Sequence, residues 1–159
     1  MSITRSTPAS EAWRSLLTAF TDINNELACE LAEETGVQLV HYEILLMLYE
    51  AGEEGLRPSV IADKRRLSRS GATRLIDRLV EQGIIERRSC GTDGRVSNIV
   101  LAEEGRRTFK RAGRVHLEGI ERHVGERMTL DELAELQRLL DKLGPSEKRS
   151  TPEPRPKRG

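Results

Sequence analysis

Guanidinium and hydroxyl side chains recur between Ser68 and Glu81 at a spacing that places them on one side of a helix. The polar residues on that side are Ser70, Thr73, Arg74, Asp77, Arg78 and Glu81. Arginine donates hydrogen bonds in a fixed planar geometry and hydroxyl groups both donate and accept, so this set suits phosphate oxygens and base edges. No Gly-rich phosphate loop, His-Glu-x-x-His or Gly-x-Ser-x-Gly motif occurs. These residues therefore predict binding and not catalysis, and no cofactor is expected.

A single amphipathic helix would position these groups. At 100° per residue, an apolar stripe falls on the opposite side. It consists of Ala72, Leu75, Ile76 and Leu79. Ser68 is predicted as the N-cap, and Gly83 stands where a left-handed residue would end the helix. The pattern predicts a DNA recognition helix, although this stretch alone leaves open an ordinary surface helix with solvated charges.

The segments on either side of this helix favour the DNA-binding interpretation. Residues 58–66 are predicted to form a short helix with Pro58 at its first position, joined to the next helix by a tight turn. Residues 84–88 and 96–101 are predicted to be β-strands. The loop between them holds two glycines and an aspartate, as a hairpin loop should. Helix, turn, helix and hairpin in this order predict a winged helix-turn-helix.

Three blocks of sequence in this module form a specific pattern. They are Thr73-Arg74-Leu75-Ile76-Asp77-Arg78-Leu79-Val80-Glu81-Gln82-Gly83-Ile84-Ile85-Glu86-Arg87, then Asp93-x-Arg95, then Leu101-Ala102-Glu103-Glu104-Gly105. This pattern resembles the MarR (multiple antibiotic resistance regulator) family, and the resemblance extends in weaker form from about Trp13 to Leu143. Gly94 stands where the family usually has a basic residue, which predicts a looser wing tip or one phosphate contact fewer. Ala102 stands where the family usually has Thr, which removes a cap from the following helix.

The resemblance implies a transcriptional regulator, more often a repressor, that binds a pseudo-palindromic operator in double-stranded DNA as a homodimer. The DNA-binding residues that it implies are Ser68, Arg69, Ser70, Thr73, Arg74, Arg78, Arg87, Arg88, Asp93 and Arg95. Residues in the first turns of the recognition helix would lie nearest the base edges of half-sites about 10 bp apart. Arg78, Arg87 and Arg88 are predicted to contact phosphates or to brace the wing. Asp93 is predicted to orient Arg95 towards the minor groove.

Apolar stripes at the two ends of the chain predict how subunits associate. Residues 9–35 are predicted to form a long helix that follows the N-cap Thr7, and residues 103–143 the C-terminal helices. Thr129, with Glu132 three residues later, is predicted to form a capping box at the start of the last helix. Gly113 and Gly119 each cost about 1 kcal/mol relative to Ala in a helix, so a kink there stays open. By the family resemblance these helices form the dimer interface. The predicted interface residues are Leu16, Phe20, Leu136 and Leu140.

The predicted fold class is mainly α with a small β-hairpin wing, a winged helix-turn-helix inside a helical dimerisation frame. A chain of 159 residues is long enough for one such domain. We expect this domain to span residues 9–143, with the winged helix-turn-helix at about 39–101. A flexible N-terminus, residues 1–8, would precede it. Residues 144–159, rich in Pro, Ser, Lys and Arg, predict a basic disordered tail.

The charges are distributed as a basic module on an acidic frame. The formal net charge is zero, but residues 1–56 carry two basic and ten acidic side chains. Residues 57–95 carry ten basic and five acidic side chains. Because salt screens charges beyond about 10 Å at 0.1 M, the local potential decides the attraction to phosphate. The overall neutrality of the chain is therefore compatible with DNA binding.

A second predicted helix, from Leu39 to Ala51, is apolar nearly all round and so belongs in the middle of the fold. In the family's architecture such a helix lies between the dimer frame and the DNA-reading module. Its residues are predicted to line a site for a small aromatic ligand, with a filled core as the alternative. The residues of this predicted site are Leu39, Tyr42, Glu43 and Met47.

Metal binding and redox chemistry have little support in the sequence. His41, His116, His123 and Cys29 lack the close spacing of a metal site, so no metal is predicted. Cys90 follows two arginines, which would lower a thiol pKa, but a small residue in a hairpin loop is the alternative interpretation.

The chain has no run of about 20 apolar residues and no signal peptide, which predicts a cytoplasmic protein with no membrane partner. Two other functional classes stay open. One is a winged-helix protein–protein adaptor, and the other is a redox or ligand sensor whose DNA binding is incidental.

Overall fold

Six helices and one two-stranded antiparallel sheet make up the residues that the structure, a computed structural model, describes, namely 6–89 and 97–144. The elements are α1 (Pro8–Thr35), α2 (Leu39–Ala51), α3 (Pro58–Lys64), α4 (Arg69–Glu81), β1 (Ile85–Ser89), β2 (Ser97–Leu101), α5 (Glu103–His123) and α6 (Leu130–Leu143). Short 3₁₀ turns lie at Gly52–Glu54 and Gly125–Arg127. The chain forms two compact units, one ending at Ile120 and the other beginning at Glu121. The predicted fold class is confirmed.

Side-chain caps begin three of the helices where the sequence predicts them. Thr7 and Ser10 form a reciprocal capping box at the start of α1, and Thr129 and Glu132 form another at the start of α6. The hydroxyl of Ser68 accepts a 3.1 Å hydrogen bond from the N–H of Gly71 at the start of α4. Each cap satisfies a backbone N–H group that has no partner within the helix.

The larger core cluster lies between α2, α3, α4 and the hairpin. Its buried residues are Ile44, Leu45, Leu48, Ile61, Ile76, Leu79, Ile85, Ile99 and Leu101. The predicted stripe of α4 faces this core, since Ala72, Ile76 and Leu79 are buried and Leu75 is half-buried. Helix α4 is therefore fixed by its apolar side to the central helix α2.

The second core cluster joins α1, α2 and α5. It consists of Leu31, Val37, Tyr42, Ala112 and Val115. A Cβ atom at Gly113 would lie 3.6 Å from the hydroxyl oxygen of Tyr42, an ordinary van der Waals distance, so the ring of Tyr42 on α2 packs beside the backbone of α5 at this position. Helix α5 runs without a break through Gly113 and Gly119.

Backbone contacts hold the base of the hairpin. β1 pairs with β2 from Ile85 opposite Leu101 to Ser89 opposite Ser97. The carbonyl of Ile84 accepts a 3.1 Å hydrogen bond from the N–H of Ala102, just before α5. A Cβ atom at Gly105 would collide with this same carbonyl. Only glycine therefore lets the first turn of α5 pack against the start of the hairpin.

Apolar side chains remain exposed on α1 and, separately, on α6. On α1 the side chain of Phe20 is 64% exposed and Leu16 is half-buried. Helix α6 has no buried residue, with Leu136 half-buried and Leu140 40% exposed. Across the described ranges, no helix is long and apolar enough to cross a membrane.

Candidate nucleic-acid interface

The outward face of α4 presents the polar groups that the sequence predicts. Ser68, Arg69, Ser70, Thr73, Arg74 and Arg78 are all exposed. Within the part of the chain that the structure describes, no carboxylate forms an ion pair with Arg69, Arg74 or Arg78. Three guanidinium groups on one helix are thus available to an external anion.

Local hydrogen bonds orient the hydroxyl groups at the start of α4. The oxygens of Ser68 and Ser70 lie 3.2 Å apart, within hydrogen-bond distance. The hydroxyl of Thr73 donates a 2.9 Å hydrogen bond to the carbonyl of Arg69, one turn earlier. A hydroxyl that donates its hydrogen to a helix carbonyl can still accept a hydrogen bond from another molecule. The oxygen of Thr73 is therefore oriented to act as an acceptor.

The turn between α3 and α4 is a Schellman motif that the sequence did not reveal. The N–H of Leu67 donates to the carbonyl of Ala62 at 2.9 Å, and the N–H of Arg66 donates to Asp63 at 3.2 Å. Arg66, with φ 51°, occupies the left-handed position where glycine is usual. The predicted helix over 58–66 is therefore too long, since α3 ends at Lys64 and the next residues form the turn.

The end of α4 has the same motif with the expected residue. Gly83 has φ 69°, and the N–H of Ile84 donates to the carbonyl of Leu79 at 3.0 Å. This confirms Gly83 as the left-handed residue that ends the recognition helix.

The two arginines of β1 form ion pairs within the protein. Arg87 donates a 2.7 Å hydrogen bond to Asp77 of α4. Arg88 donates to Glu53, in the turn after α2, at 3.1 Å and to Glu86 at 3.0 Å. Of the two predicted roles, bracing the wing is the one these contacts fit.

Glu53 connects three elements, which no local sequence pattern indicates. Its carboxylate accepts hydrogen bonds from Arg88 of β1 and, at 2.6 Å, from Arg106 of α5. The hydrogen bond from Arg88 and then the charge of Arg106 lower the pKa of Glu53. The hydrogen bond to Glu53, and then the one to Glu86, raise the pKa of Arg88. The carboxylate is fully charged near neutral pH, so the link persists there.

Leu56 forms a single antiparallel β-bridge with Ile99 of β2. Its N–H donates to the carbonyl of Ile99 at 2.9 Å, and the N–H of Ile99 donates back at 2.8 Å. The amide of Asn98 also donates to the carbonyl of Glu54 at 2.7 Å. These contacts fix the described base of the wing. The predicted wing residues Asp93 and Arg95, together with Cys90, lie outside the described residues.

Charged and polar groups also lie behind the recognition helix. Glu43 of α2 forms an ion pair with Arg65, the residue that follows α3. His41 of α2 is half-buried, and its pKa is lowered by burial and, to a smaller extent, by the charge of Arg78. Helix α2 therefore contributes ionisable groups that interact with the helix-turn-helix.

The predicted ligand residues lie around a stack of rings. Tyr42 is buried, with its ring centroid 5.7 Å from that of Phe109 and 4.7 Å from that of His116. Leu39, Glu43 and Met47 are half-buried. Neither of two surface cavities, of about 380 and 170 Å³, is lined by any of these four residues. The larger one, between α3 and α4, is lined by Pro58, Ser59, Ala62, Arg69, Ala72 and Thr73.

Metal-binding side chains do not gather in the region that the structure covers. Within residues 6–89 and 97–144, no three His, Cys, Asp or Glu residues could hold an ion together. Cys29 is an exposed free thiol.

Residues 35–96, which include α2, the helix-turn-helix and β1, match the model of the MarR family. This segment belongs to the MarR family. No curated protein sequence matches the chain. The MarR family is one of transcriptional regulators, which are generally not enzymes.

Solved structures of MarR family transcriptional regulators resemble this chain over most of its length. AbsC from Streptomyces coelicolor is 26% identical with a TM-score of 0.74, covering 88% of this chain and 95% of AbsC. Sco3205 from the same organism, solved in complex with DNA, is 28% identical with a TM-score of 0.73, covering 90% and 96%. A mutant MarR from E. coli complexed with operator DNA shares the fold at a TM-score of 0.72 and 21% identity, covering 88% and 100%. Over most of its length the chain is thus similar in fold to MarR family transcriptional regulators, and the match to the family model covers residues 35–96.

Proposed function

We propose that this protein binds double-stranded DNA in a sequence-specific manner and regulates transcription from a pseudo-palindromic operator. The observation that carries the proposal is the outward face of α4. Arg69, Arg74 and Arg78 are exposed there without a carboxylate partner among the described residues, while the other face is buried against α2. A rigid helix with unpaired guanidinium groups fits the major groove, where arginine donates to guanine. The DNA complexes of Sco3205 and of E. coli MarR give the proposal a structural precedent.

The proposed roles differ along the module. Arg69, Ser70, Thr73 and Arg74 would contact base edges because they occupy the first turns of α4. Arg78 would contact phosphate. Arg87 and Arg88 would hold the hairpin against the rest of the module, since both already pair with carboxylates. Asp93 and Arg95 keep their predicted roles at the wing tip as a proposal.

Selection of bound fragments from a random DNA library, followed by salt titrations, tests the proposal. A palindromic consensus is expected. Arg74→Ala should weaken binding to it by about 1–3 kcal/mol and relax the preference at one position of each half-site. The matched control is Arg111→Ala, an exposed arginine on α5 outside the module. Failure of the wild-type protein to retain any duplex would refute the proposal and favour a protein–protein adaptor.

We also propose that the protein acts as a homodimer. Phe20 on α1 and Leu140 on α6 are exposed, and α6 has no buried residue. Large apolar side chains exposed on a helix face are characteristic of protein interfaces. Leu16 and Leu136 would also lie in the dimer interface and contact the second copy of the chain. Two linked recognition helices would then match a palindrome with half-sites about one helical turn apart.

Repression in the cytoplasm, with release by a small aromatic ligand, completes the proposal. The supporting feature is the group of rings around Tyr42, next to the half-buried residues Leu39, Glu43 and Met47. Ligand and operator must weaken each other's binding by the same factor if they are coupled. Titration of salicylate with and without operator measures this factor. Equal ligand affinity in the two titrations would refute release by that ligand.

A further inference from the structure

The ion pair between Glu43 and Arg65 links the central helix to the turn before the recognition helix. Glu43 lies on α2, whose buried residues form the middle of the core, and Arg65 is the first residue after α3. The two side chains are 32% and 29% exposed, so water and salt screen this pair less than the open pairs on the surface. A guanidinium that donates to an internal carboxylate is also less free to contact a phosphate.

The residue after Arg65 has an unfavourable backbone conformation. Among the described residues, Arg66 is the one non-glycine residue with a positive φ. A side chain in the left-handed region costs about 1–2 kcal/mol, so the neighbouring contacts must hold the turn in place. Two backbone hydrogen bonds of the Schellman motif hold the turn locally, and the ion pair of Glu43 with Arg65 ties it to α2.

The direction of this turn decides where the first residues of α4 point. Thr73 and Arg74 lie about five residues along α4, or about 7.5 Å at 1.5 Å per residue. A rotation of about 10° at the turn would displace them by about 1.3 Å, more than the tolerance of about 0.5 Å that hydrogen-bonded recognition allows. A contact that fixes the turn therefore affects DNA reading at a distance.

We propose that Glu43 and Arg65 are positioning residues for DNA recognition and that neither contacts DNA. Arg65, although basic and inside the DNA-binding module, serves to align α4. Glu43, although acidic, supports DNA binding because it holds Arg65. This inference rests on the proposed function, since it concerns how the same module reads its operator.

Charge alone predicts the opposite sign for Glu43. Removing a negative charge from a DNA-binding module should strengthen binding through the overall potential. If Glu43 aligns the recognition helix, Glu43→Gln should instead weaken operator binding. If Arg65 contacts a phosphate, its loss should reduce the slope of log affinity against log salt concentration by about one. If Arg65 only aligns α4, that slope should stay unchanged.

The experiment compares the full-length protein with Glu43→Gln, Arg65→Gln, Arg65→Lys and the double variant Glu43→Gln/Arg65→Gln. Affinity for the selected operator and for unrelated DNA is measured over a range of salt, with thermal unfolding as a check on folding. Each glutamine variant should weaken operator binding relative to unrelated DNA by about three- to tenfold, with the salt slope unchanged. The double variant should be no weaker than either single variant, because the two residues act as one unit. Arg65→Lys keeps the positive charge and should retain part of the operator affinity. If Arg65→Gln does not fold, Arg65→Lys takes its place in the comparison.

The matched control is Glu50→Gln, which removes an exposed carboxylate from the same helix. It should bind the operator as tightly as the wild type or more tightly. Unchanged or tighter binding by Glu43→Gln, or a reduced salt slope for Arg65→Gln, would overturn the inference. Failure of the proposed function looks different, because then wild type and Arg74→Ala would both fail to discriminate the operator from unrelated DNA.

Discussion

The guanidinium of Arg87 on β1 donates a 2.7 Å hydrogen bond to the carboxylate of Asp77 on α4. The pair joins the hairpin directly to the recognition helix, ten residues earlier in the chain. Its side chains are 39% and 50% exposed, so its contribution to stability is at most about 1 kcal/mol. If the protein binds DNA as proposed, Asp77 competes with phosphate for Arg87.

Asp77→Asn should therefore affect binding more than folding. We expect the free energy of unfolding, measured with urea, to change by no more than about 1 kcal/mol. The salt dependence of DNA binding should become steeper, because Arg87 is released to contact a phosphate. A shallower or unchanged slope would mean that Arg87 stays away from DNA even when it has no carboxylate partner.

Leu136→Asp should separate the proposed dimer into monomers. A carboxylate placed in an apolar interface loses its hydration without gaining a partner, and operator affinity should collapse once the half-sites are no longer linked. Size-exclusion chromatography with light scattering measures the mass. Gln137→Asp adds the same charge to an exposed position of α6 and should stay dimeric. A folded monomer of Leu136→Asp that keeps full operator affinity would contradict the dimer proposal.

Stability should fall as the pH drops below about 6.5. Burial lowers the pKa of both His41 and His116, with Arg78 adding to the effect at His41 and Glu43 opposing it at His116. Both rings are neutral in the folded protein when the unfolded chain already binds protons, so acid favours unfolding from pH 6.5 down to the lowered folded values. Carboxylates such as Glu53, whose folded pKa is lowered below 4.5, act only at lower pH.

Urea unfolding between about pH 7.5 and 5 measures this effect of the two histidines. His116→Gln should flatten the slope in that window, as should His41→Gln. A wild-type stability that rises on acidification over the same window would show that these rings gain protons on folding.

Arg66→Gly should give a more stable protein than Arg66→Ala. Both variants lose the same charge, but only glycine avoids the left-handed cost of about 1–2 kcal/mol, and it gives back about 0.5–1 kcal/mol in chain entropy. We expect a net difference of about 0.5–1 kcal/mol in thermal or urea unfolding. Equal stabilities would mean that the turn relaxes in the alanine variant.

Local patterns were sufficient to predict most of the elements of the fold. The apolar stripe of α4, the capping box at Thr129 and the left-handed Gly83 all follow from spacing within one or two turns, and the structure bears them out. The end of α3 did not follow, because Arg66 takes a position where the sequence shows no glycine.

The partners of the arginines could not be predicted for a different reason. Arg88 pairs with Glu53, 35 residues away, and Arg65 pairs with Glu43, 22 residues away. Sequence shows which side chains are charged, but long-range packing decides which charges meet. The exposed arginines of α4 and the internally paired arginines of β1 therefore looked alike until the fold brought their neighbours together.

Gly105 should tolerate substitution poorly in a scan of all single substitutions. Helix propensity ranks alanine about 1 kcal/mol better than glycine inside a helix, so Gly105→Ala should help α5 when that helix is considered alone. The added methyl group would instead meet the carbonyl of Ile84, where the hairpin begins. Gly105→Ala should therefore destabilise the contact between α5 and the hairpin although it raises the helix propensity of α5. Under the proposed function, the position of the wing relative to α5 would thus depend on a glycine outside the DNA-binding residues named above.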